Sequence, residues 1–480
     1  MTTAAGVSGT AHAGDPPIID WISTTSRPFL TPAAWSGGIV PGPSDIARFS
    51  LGTESSVTFN SADDVPHVRG LRFERSRTTF LAGQPTGMAL RTIAPSPFQA
   101  GLLVAGTQDP TAIFRAPGWS LEASTVVVGQ EGIGPGRMET IGDPFAQDPF
   151  AFLVNDQLNV GDGNRGIVRG NMRFDAQSIV VGRDAYGELS LEDTGTLDAA
   201  GPLQVGTTGV GRIGNVASIH AGRIDLGLTA FGNGSITSPT LTIAGNLDVG
   251  VLGVGEVNTT ELIADGTVVL GMSADPAAPF LHGDGTLVLQ GTGTIGGDLV
   301  IGLVGTGHLQ LNEPVNVHVA GEVTTFGPLQ GGANSMTIVL GPAVAEPLPI
   351  IQSDGRMDLP SPTIQLAPGV QPTEGDRWII ADAGMTVSFG QLSLPALNPG
   401  LIWRVEYEPA GGDLQIVVVD PDTIVPADIN DDGAVDFEDL LEVISGFGPC
   451  PLSGPCPADI NFDDQVDITD LLQVLADWTG

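Results

Sequence analysis

Lysine is absent from the chain, so all 18 basic residues are arginines, whereas aspartate and glutamate together number 55. The formal net charge is −37 and the isoelectric point is about 4.1. Nucleic-acid phosphates and anionic lipid headgroups are both bound by clusters of lysine and arginine. We therefore expect no nucleic-acid partner and no attraction to an anionic membrane. An acidic surface instead suits solubility in a salty, calcium-containing medium.

Long apolar runs are missing as well, since no stretch approaches the roughly 18 uninterrupted apolar residues of a membrane-spanning helix. The N-terminus contains Ala11-His12-Ala13, which is typical of a signal-peptidase site, but the residues before it lack a basic start and an apolar centre. We therefore interpret residues 1–19 as a leader, the remnant of a signal peptide whose start lies upstream.

Recognisable catalytic motifs are also lacking. The histidines show no H-E-x-x-H spacing, and no serine lies in a G-x-S-x-G elbow. Two stretches, 209–214 and 291–296, match G-x-G-x-x-G, but a dinucleotide site needs a helix after the glycines and both stretches run into strand-like sequence. We therefore expect neither enzyme activity nor a nucleotide cofactor.

Glycine and proline, by contrast, are abundant, with 67 and 37 residues, while 41% of the chain is hydrophobic. This composition predicts many short strands. Between about 121 and 320, a β-branched or leucine-rich run ending in glycine recurs; its glycines are Gly129, Gly161, Gly182, Gly206, Gly227, Gly250, Gly271 and Gly302. A period of about 22 residues predicts a parallel β-solenoid, in which each coil buries its inner face against its neighbours.

The tail, residues 427–480, contains one acidic pattern twice, and every matched pair of residues keeps the same offset along the chain. Oxygen-bearing side chains occupy positions 1, 3, 5, 9 and 12 of each loop: Asp428, Asn430, Asp432, Asp436 and Asp439, then Asp459, Asn461, Asp463, Asp467 and Asp470. This spacing is that of an EF-hand calcium loop, where position 7 adds a backbone carbonyl, here from Ala434 and Gln465. We therefore expect two calcium sites.

The two loops differ at position 6, where a sharp turn is needed: the first has Gly433 and the second has Asp464. Because glycine adopts positive φ without steric cost, we expect the second site to be weaker. Position 8 is apolar in both copies, Val435 and Val466, as expected if the loops pair back to back.

Each loop leads into a predicted amphipathic helix. Its apolar residues at helical spacing are Phe437, Leu440, Leu441, Ile444 and Phe447 in the first copy, and Ile468, Leu471, Leu472, Leu475 and Trp478 in the second. We expect these two faces to bury one small core between facing units. The alternative is an acidic, disordered tail.

Two calcium loops, each followed by a single helix, resemble a type I dockerin domain, in the variant with a Cys-containing linker found at the C-terminus of large secreted proteins of planctomycete-like bacteria. The resemblance implies folding on calcium and attachment to a cohesin-like or other scaffold protein. The sequence departs from the cellulosomal pattern at Phe437-Glu438 and Ile468-Thr469, where Ser or Thr is common. It also lacks the basic pair expected at Ser445-Gly446 and Ala476-Asp477. Calcium binding therefore carries over more directly than the partner does.

The chain before the tail resembles secreted, autotransporter-like β-solenoid proteins. The run from Trp35 to Phe49 is similar to their opening segment, whose aromatic residues cover the first coil, and Leu252-Gly-Val-Gly255 is similar to their repeats. An alternative role for Trp21 and Trp35 is stacking on a sugar. The resemblance implies an N-terminal β cap with first coils at 20–120, repeats at 121–320, a β-rich closing segment (a cap or a small sandwich) at 321–420 and a linker at 421–426.

Cys450 and Cys456 are the two cysteines of the chain and lie between the calcium loops. In an exported protein they predict a disulfide; free thiols are the alternative, and a zinc site lacks further ligands nearby.

The expected fold is thus mostly β: a parallel β-solenoid or β-helix with a β-rich C-terminal cap, plus a small all-α calcium-binding dockerin-like domain. The expected function is that of a non-catalytic structural or adhesive protein, secreted or held at the cell surface through its tail. One alternative is a dockerin-borne carbohydrate-active protein, either a polysaccharide lyase or hydrolase or a sugar-binding module, with a polysaccharide as ligand. Another is that calcium only stabilises the tail.

Overall fold

A computed structural model of the protein describes residues 16–59, 66–82, 87–92, 101–115, 119–140, 149–192, 194–272, 283–312, 314–326, 334–408, 412–421, 425–430, 433–450, 456–461 and 465–479. Over these residues the chain is mostly β, with 37 strands in one sheet. The tail contributes two α-helices and one further pair of strands.

The strands of the first part of the chain are short. They are β1 (Ile18–Asp20), β2 (Arg27–Pro28), β3 (Ile46–Phe49), β4 (Ser55–Phe59), β5 (His67–Val68), β6 (Gly70–Phe73), β7 (Arg77–Ala82), β8 (Gly87–Thr92), β9 (Leu102–Val104), β10 (Thr111–Arg115), β11 (Trp119–Ala123), β12 (Val126–Gln130) and β13 (Gly136–Thr140). Two 3-10 turns, Pro32–Ala34 and Ser36–Gly38, lie between β2 and β3.

The middle of the chain holds the longest strands. They are β14 (Phe150–Asp162), β15 (Gly166–Arg169), β16 (Met172–Val181), β17 (Tyr186–Ser190), β18 (Thr196–Val205), β19 (Val210–Gly214), β20 (Ser218–Leu226), β21 (Asn233–Ile243), β22 (Leu247–Val249), β23 (Val254–Ala264), β24 (Val268–Leu270), β25 (Asp284–Ile295), β26 (Leu299–Ile301) and β27 (Thr306–Asn312).

The last part of the sheet is again built from short strands. They are β28 (Asn316–Val319), β29 (Val323–Thr325), β30 (Ser335–Leu340), β31 (Ile351–Ser353), β32 (Met357–Leu359), β33 (Thr363–Leu366), β34 (Arg377–Ala383), β35 (Val387–Phe389), β36 (Ile402–Glu408) and β37 (Asp413–Val419).

Parallel pairing arranges these strands in three stacks. Stack A starts with β1, β3, β6, β9 and β12 and ends at β35; stack B runs from β2 and β4 to β33; stack C runs from β5, β8 and β11 to β34. From β3 onward the chain visits A, B and C in repeating order, and a long strand such as β14 bends from stack C into stack A. Each passage through the three stacks therefore lies on the previous one.

The core runs along the inside of these stacks. Apolar residues alternate with exposed ones, as in β23, and those of successive strands are in register. In the first half many of the inner residues are aromatic: the rings of Phe152 and Phe174 stack with centroids 4.9 Å apart. Beyond Phe174 the same row continues with Leu197 and Ile219. The apolar residues of each strand are therefore buried mainly against the strands before and after it in the same stack.

Both ends of the sheet have distinct structures. Ile18 and Ile19, which the sequence interpretation placed in a leader, belong to β1 and pair with β3. At the other end, β34 pairs antiparallel with β37, which pairs antiparallel with β36. Since β28 to β37 belong to the same sheet as the earlier strands, the closing segment is a continuation of that sheet rather than a separate sandwich.

The tail comprises helices α1 (Phe437–Gly446) and α2 (Ile468–Ala476) and the antiparallel pair β38 (Gly448–Pro449) and β39 (Gln465–Val466). It is therefore not wholly helical, in contrast to the expected all-α unit. Within the described residues, neither helix is long and apolar enough to cross a membrane.

The eight recurring glycines all lie at corners next to stack A, with φ between +62° and +80°. At Gly206 the backbone has φ of +66°, and an added Cβ would lie 2.2 Å from the carbonyl carbon of Asn233 on the next coil. Glycine is needed there for two reasons: positive φ strains other residues, and the neighbouring coil leaves no room for a side chain.

We therefore expect Gly206→Ala to lower the free energy of unfolding by at least about 2 kcal/mol. Gly214→Ala is the matched control, because no atom lies within 4 Å of the added Cβ. It should change stability by less than about 0.5 kcal/mol. Denaturant midpoints followed by circular dichroism measure both effects, and equal shifts for the two variants would contradict the role of the corner.

Candidate metal centre

The core of the tail is formed by residues at equivalent positions of the two sequence copies. The buried members are Ala427, Val435, Val443, Ala458, Ile460, Val466 and Val474, with Ile429, Leu440, Leu471 and the two cysteines packed against them. The prediction of one small core between two facing units is therefore correct, but its composition differs from the predicted helix faces. Val443 and Val474, which the sequence analysis did not single out, are the fully buried apolar residues of the helices.

Most of the predicted helix face is exposed, which corrects the expectation that it would be buried. Its exposed members are Phe437, Leu441, Ile444 and Phe447 and, at the equivalent positions of the second copy, Ile468, Leu472, Leu475 and Trp478. We call these eight side chains the exposed apolar face. Each helix carries two apolar stripes, and the stripe with Leu440 and Val443, or with Leu471 and Val474, is the one that packs in the core. The other stripe has no place in so small a core.

The position-8 valines are buried, as predicted, but their backbone partners are different from those expected. Val466 pairs with Gly448, which follows α1. Val435 donates its N–H to the Thr479 hydroxyl at 2.8 Å and accepts the Thr479 N–H at 2.9 Å, after α2. Each loop is thus bound by the segment that follows the other unit's helix, and the two units are intertwined.

One carboxylate at position 12 ties the two ends of each loop together. The side chain of Asp439 accepts N–H bonds from Ile429 and Asn430, at 2.6 and 3.2 Å, and from Asp436 at 2.9 Å. In the second loop Asp470 accepts the equivalent bonds from Ile460, Asn461 and Asp467. Both carboxylates are fully buried. The start of each loop is therefore within reach of its end.

These carboxylates also start the helices. Asp436 accepts an N–H from Glu438 while Asp439 accepts the Asp436 N–H, and this reciprocal capping box is repeated by Asp467 and Asp470. Burial acts to raise the pKa of Asp439, but the backbone N–H donors outweigh it and the net effect is a lowered pKa. The carboxylate is thus kept charged in the interior.

The remaining predicted ligands lie along the same loops. Asp428, Asn430 and Ala434 in the first loop, and Asp459, Asn461 and Gln465 in the second, all lie in the described part of the chain, whereas Asp432, Asp463 and Asp464 lie outside it. Gly433, the predicted turn residue, has φ of +89° and donates its N–H to Asp428 at 2.9 Å. The position-6 turn therefore forms as predicted.

The donor set fits a hard cation such as calcium. It consists of carboxylate, amide and backbone oxygens, and residues 421–480 contain 12 Asp and 2 Glu, or 14 acids, without any basic residue. Asp428 and Asp436 therefore have no basic side chain within the tail to neutralise them. A bound calcium ion would be held by these oxygens and would supply positive charge between like-charged groups.

The predicted disulfide joins Cys450 and Cys456. Across the described residues, the ligand atoms of Cys450, Cys456 and Asp459 are the one set of three or more from His, Cys, Asp and Glu that approach one another within 4.8 Å. Since both sulfurs are bridged, they are not thiolate ligands, and the expectation that this linker holds no zinc agrees with their pairing.

Other candidate sites from the sequence are occupied by structural contacts. Trp21 and Trp35 are buried edge to face with centroids 4.9 Å apart, so their rings are not open to a sugar. Both G-x-G-x-x-G stretches lie on or beside strands, β19 and β25, rather than before helices.

A cluster that the sequence analysis missed lies on stack A. Asp225 and Asp248 are in register on neighbouring strands, and Arg223 bonds to both at 2.6 Å. Burial raises the pKa of Asp248, and Arg223 opposes this effect. The two carboxyl side chains are only 6% and 3% exposed. They are therefore closed to a polymeric substrate, and the cluster is structural.

A second missed cluster surrounds Tyr186 on stack B. The guanidinium carbons of Arg165 and Arg212 each lie 5.9 Å from the ring centroid, and the Tyr186 hydroxyl donates to Glu188 at 2.8 Å. Arg169 pairs with the same carboxylate at 2.6 Å. This surface cluster combines an aromatic ring with charged groups, although no row of aromatic residues extends it within the described strands.

We expect Asp439→Ala to destabilise the tail segment 421–480 by about 2 kcal/mol at saturating calcium, because three backbone N–H groups lose their acceptor. Glu442→Ala, an exposed change on the same helix, should cost less than about 0.5 kcal/mol. Thermal unfolding followed by helical circular dichroism distinguishes the variants. Identical midpoints would mean that Asp439 does not close the loop.

The difference at position 6 predicts that the first loop binds calcium more tightly than the second. Asp428→Ala should reduce total calcium binding more than Asp459→Ala, because the first loop turns at Gly433 and the second carries Asp464 there. Calorimetric titration of each variant with calcium measures the loss. Equal losses would refute the ranking.

The chain was compared with models of protein families, with curated proteins and with solved structures. No family model, no curated protein and no solved structure matches it. The duplicated loops, their hydrogen bonds and the disulfide are therefore the observations from which the function of the tail is inferred.

Proposed function

We propose that residues 427–480 form a calcium-folded docking domain of the dockerin type, which attaches the rest of the chain to a partner protein. The exposed apolar face is the observation that carries this proposal. Phe437 is 60% exposed and Ile468, its counterpart, is 57% exposed. Large apolar side chains that lie together at the surface are typical of interaction sites. Large exposed apolar side chains do not contribute to solubility, so solubility alone does not account for this face.

Calcium is the proposed trigger for forming this surface. The exposed apolar face depends on α1 and α2, and both helices begin at capping boxes whose carboxylates also close the loops. Without a cation, the like-charged acids of each loop repel one another. Bound calcium offsets this repulsion and so stabilises the helices that carry the face.

The proposed partner is a protein that offers an apolar patch with a basic rim. Residues 421–480 have 14 acidic residues and no basic ones, and complementary charge on a partner speeds encounter and fixes orientation. The fully desolvated centre of such an interface is apolar, which suits the eight side chains of the face. A cohesin-like or other scaffold protein, as the resemblance implies, meets this description.

The part displayed by the tail is proposed to be a parallel β-solenoid with a non-catalytic structural or adhesive role. Three stacks visited in repeating order support this fold, as do corner glycines that recur once per coil. Secretion, or location at the cell surface, is supported by the Cys450–Cys456 disulfide, because such bonds persist in oxidising compartments.

A second candidate is a carbohydrate-binding role for the solenoid. The Tyr186 cluster favours it, because an aromatic ring beside Arg165 and Arg212 offers a stacking surface and donors for an acidic sugar. The buried Asp225 and Asp248 do not extend this role to hydrolysis or elimination, since a polysaccharide does not reach them. Binding of the solenoid segment to acidic polysaccharide, lost in Tyr186→Ala, would support this candidate.

The docking proposal is tested by capture from the secreted proteome with the full chain, in calcium and in chelator. Leu441→Asp with Leu472→Asp should abolish capture, because charges then replace the centre of the exposed apolar face. Glu442→Ala with Gln473→Ala is the matched control, since these exposed residues also occupy equivalent positions of the same two helices. This control should retain capture.

Support requires one specific partner that is lost in chelator and in the aspartate variant but kept by the control. If the aspartate variant still captures the partner, the exposed apolar face is not the interface. If the wild-type chain binds calcium yet captures nothing, the ion only stabilises the tail.

A further inference from the structure

The disulfide lies against the second calcium loop, beside its first position and next to the strand that pairs with its middle. Gly448–Pro449, directly before Cys450, pairs with Gln465–Val466, which are loop positions 7 and 8. The carbonyl of Cys456 accepts the N–H of Asp459, loop position 1, at 3.1 Å. The Cys450 Sγ atom also lies 3.6 Å from an oxygen of Asp459. A bridged sulfur has neither a proton nor a charge, so this last contact is one of packing.

The first loop provides an internal comparison. Asp428 donates its N–H to the carbonyl of Val425 at 2.9 Å, as Asp459 does to Cys456, and Val425 is the first copy's counterpart of Cys456. The counterpart of Cys450 is Val419, which ends strand β37 in the large sheet. The same turn into position 1 therefore forms in both loops, but a covalent bridge supports it in the second alone.

The loop with the bridge is also the loop without the position-6 glycine, because Asp464 stands where the first loop has Gly433. Asp459, the position-1 ligand beside the bridge, is only 6% exposed. The bridge restricts the part of the second loop between Asp459 and Gln465 before calcium binds. Less conformational entropy is then lost when calcium binds. The bridge and the missing glycine thus have opposite effects on the same loop.

We propose that the Cys450–Cys456 bridge is a positioning element of the second calcium loop, which holds Asp459 and the segment paired with Gln465 so that the loop binds calcium despite Asp464. This inference rests on the proposed calcium binding. It adds a prediction that calcium binding alone does not make: the second loop depends on the bridge and the first does not.

The test uses the full chain and calcium titration by calorimetry. Asp428→Ala removes a ligand of the first loop, so that titration of this chain measures the second loop. Asp459→Ala removes a ligand of the second loop, so that titration measures the first. Adding Cys450→Ala and Cys456→Ala to the Asp428→Ala chain should weaken calcium binding about tenfold. The same cysteine changes in the Asp459→Ala chain should alter affinity by less than about twofold, and this intact first loop also verifies that the tail folds.

Replacing the cysteines removes both the disulfide bond and the packing of the cysteine side chains. Two further measurements distinguish these two effects. Reduction of the Asp428→Ala chain with dithiothreitol should reproduce the tenfold loss, because the side chains are kept and only the bond is broken. Asp464→Gly in the bridge-free Asp428→Ala chain should restore most of the affinity.

Unchanged affinity of the second loop without the bridge overturns the inference and leaves the calcium proposal standing. Equal losses at both loops overturn it too, since the bridge would then support the whole tail. No calcium uptake by the wild-type chain overturns both proposals.

Discussion

Negative charge without any basic residue to balance it is the constraint on which the proposed function of the tail depends. Residues 421–480 carry 14 acids and no base, yet each loop brings its first and last turns together around one buried carboxylate. Backbone N–H groups satisfy Asp439 and Asp470, but they do not neutralise the acids at positions 1 and 9. On the proposed function, calcium supplies that charge, and loop closure, helix capping and the exposed apolar face then form together.

The large sheet obeys a different constraint, which is steric. The backbone at Gly206 lies so close to Asn233 that an added Cβ would overlap it, and the chain turns there with positive φ. Inside the stacks the residues are mostly apolar, and Asp225 and Asp248 are buried against Arg223. The sheet thus depends on close stacking of its strands, whereas the surface proposed to bind a partner is on the tail.

Much of this arrangement follows from sequence periodicity. The recurring glycines fall at the corners beside stack A, because glycine adopts positive φ without strain and leaves room for the neighbouring backbone. The loop spacing predicted the turn at Gly433, and the cysteine pair predicted the disulfide, since these features depend on residues close together in the chain. The antiparallel pairing of β34 with β37 and of β37 with β36 does not follow from this periodicity.

Which stripe of each helix is buried was not predictable in the same way. Leu440 and Leu441 are equally apolar, and either stripe of α1 offers a plausible core face. The choice is made by the crossed partners, Val435 with Thr479 and Val466 with Gly448, each of which joins one loop to the segment that follows the other unit's helix. The side-chain clusters around Arg223 and Tyr186 were missed for a similar reason, since register between coils brings them together.

The most direct measurement is the number of calcium ions bound per chain, determined by equilibrium dialysis at millimolar calcium. Two ions are predicted for the wild-type chain, and no ion at these sites when Asp428 and Asp459 are both replaced by alanine. The same stoichiometry in the wild-type and doubly substituted chains, or no uptake by either, would contradict calcium as the source of order in the tail.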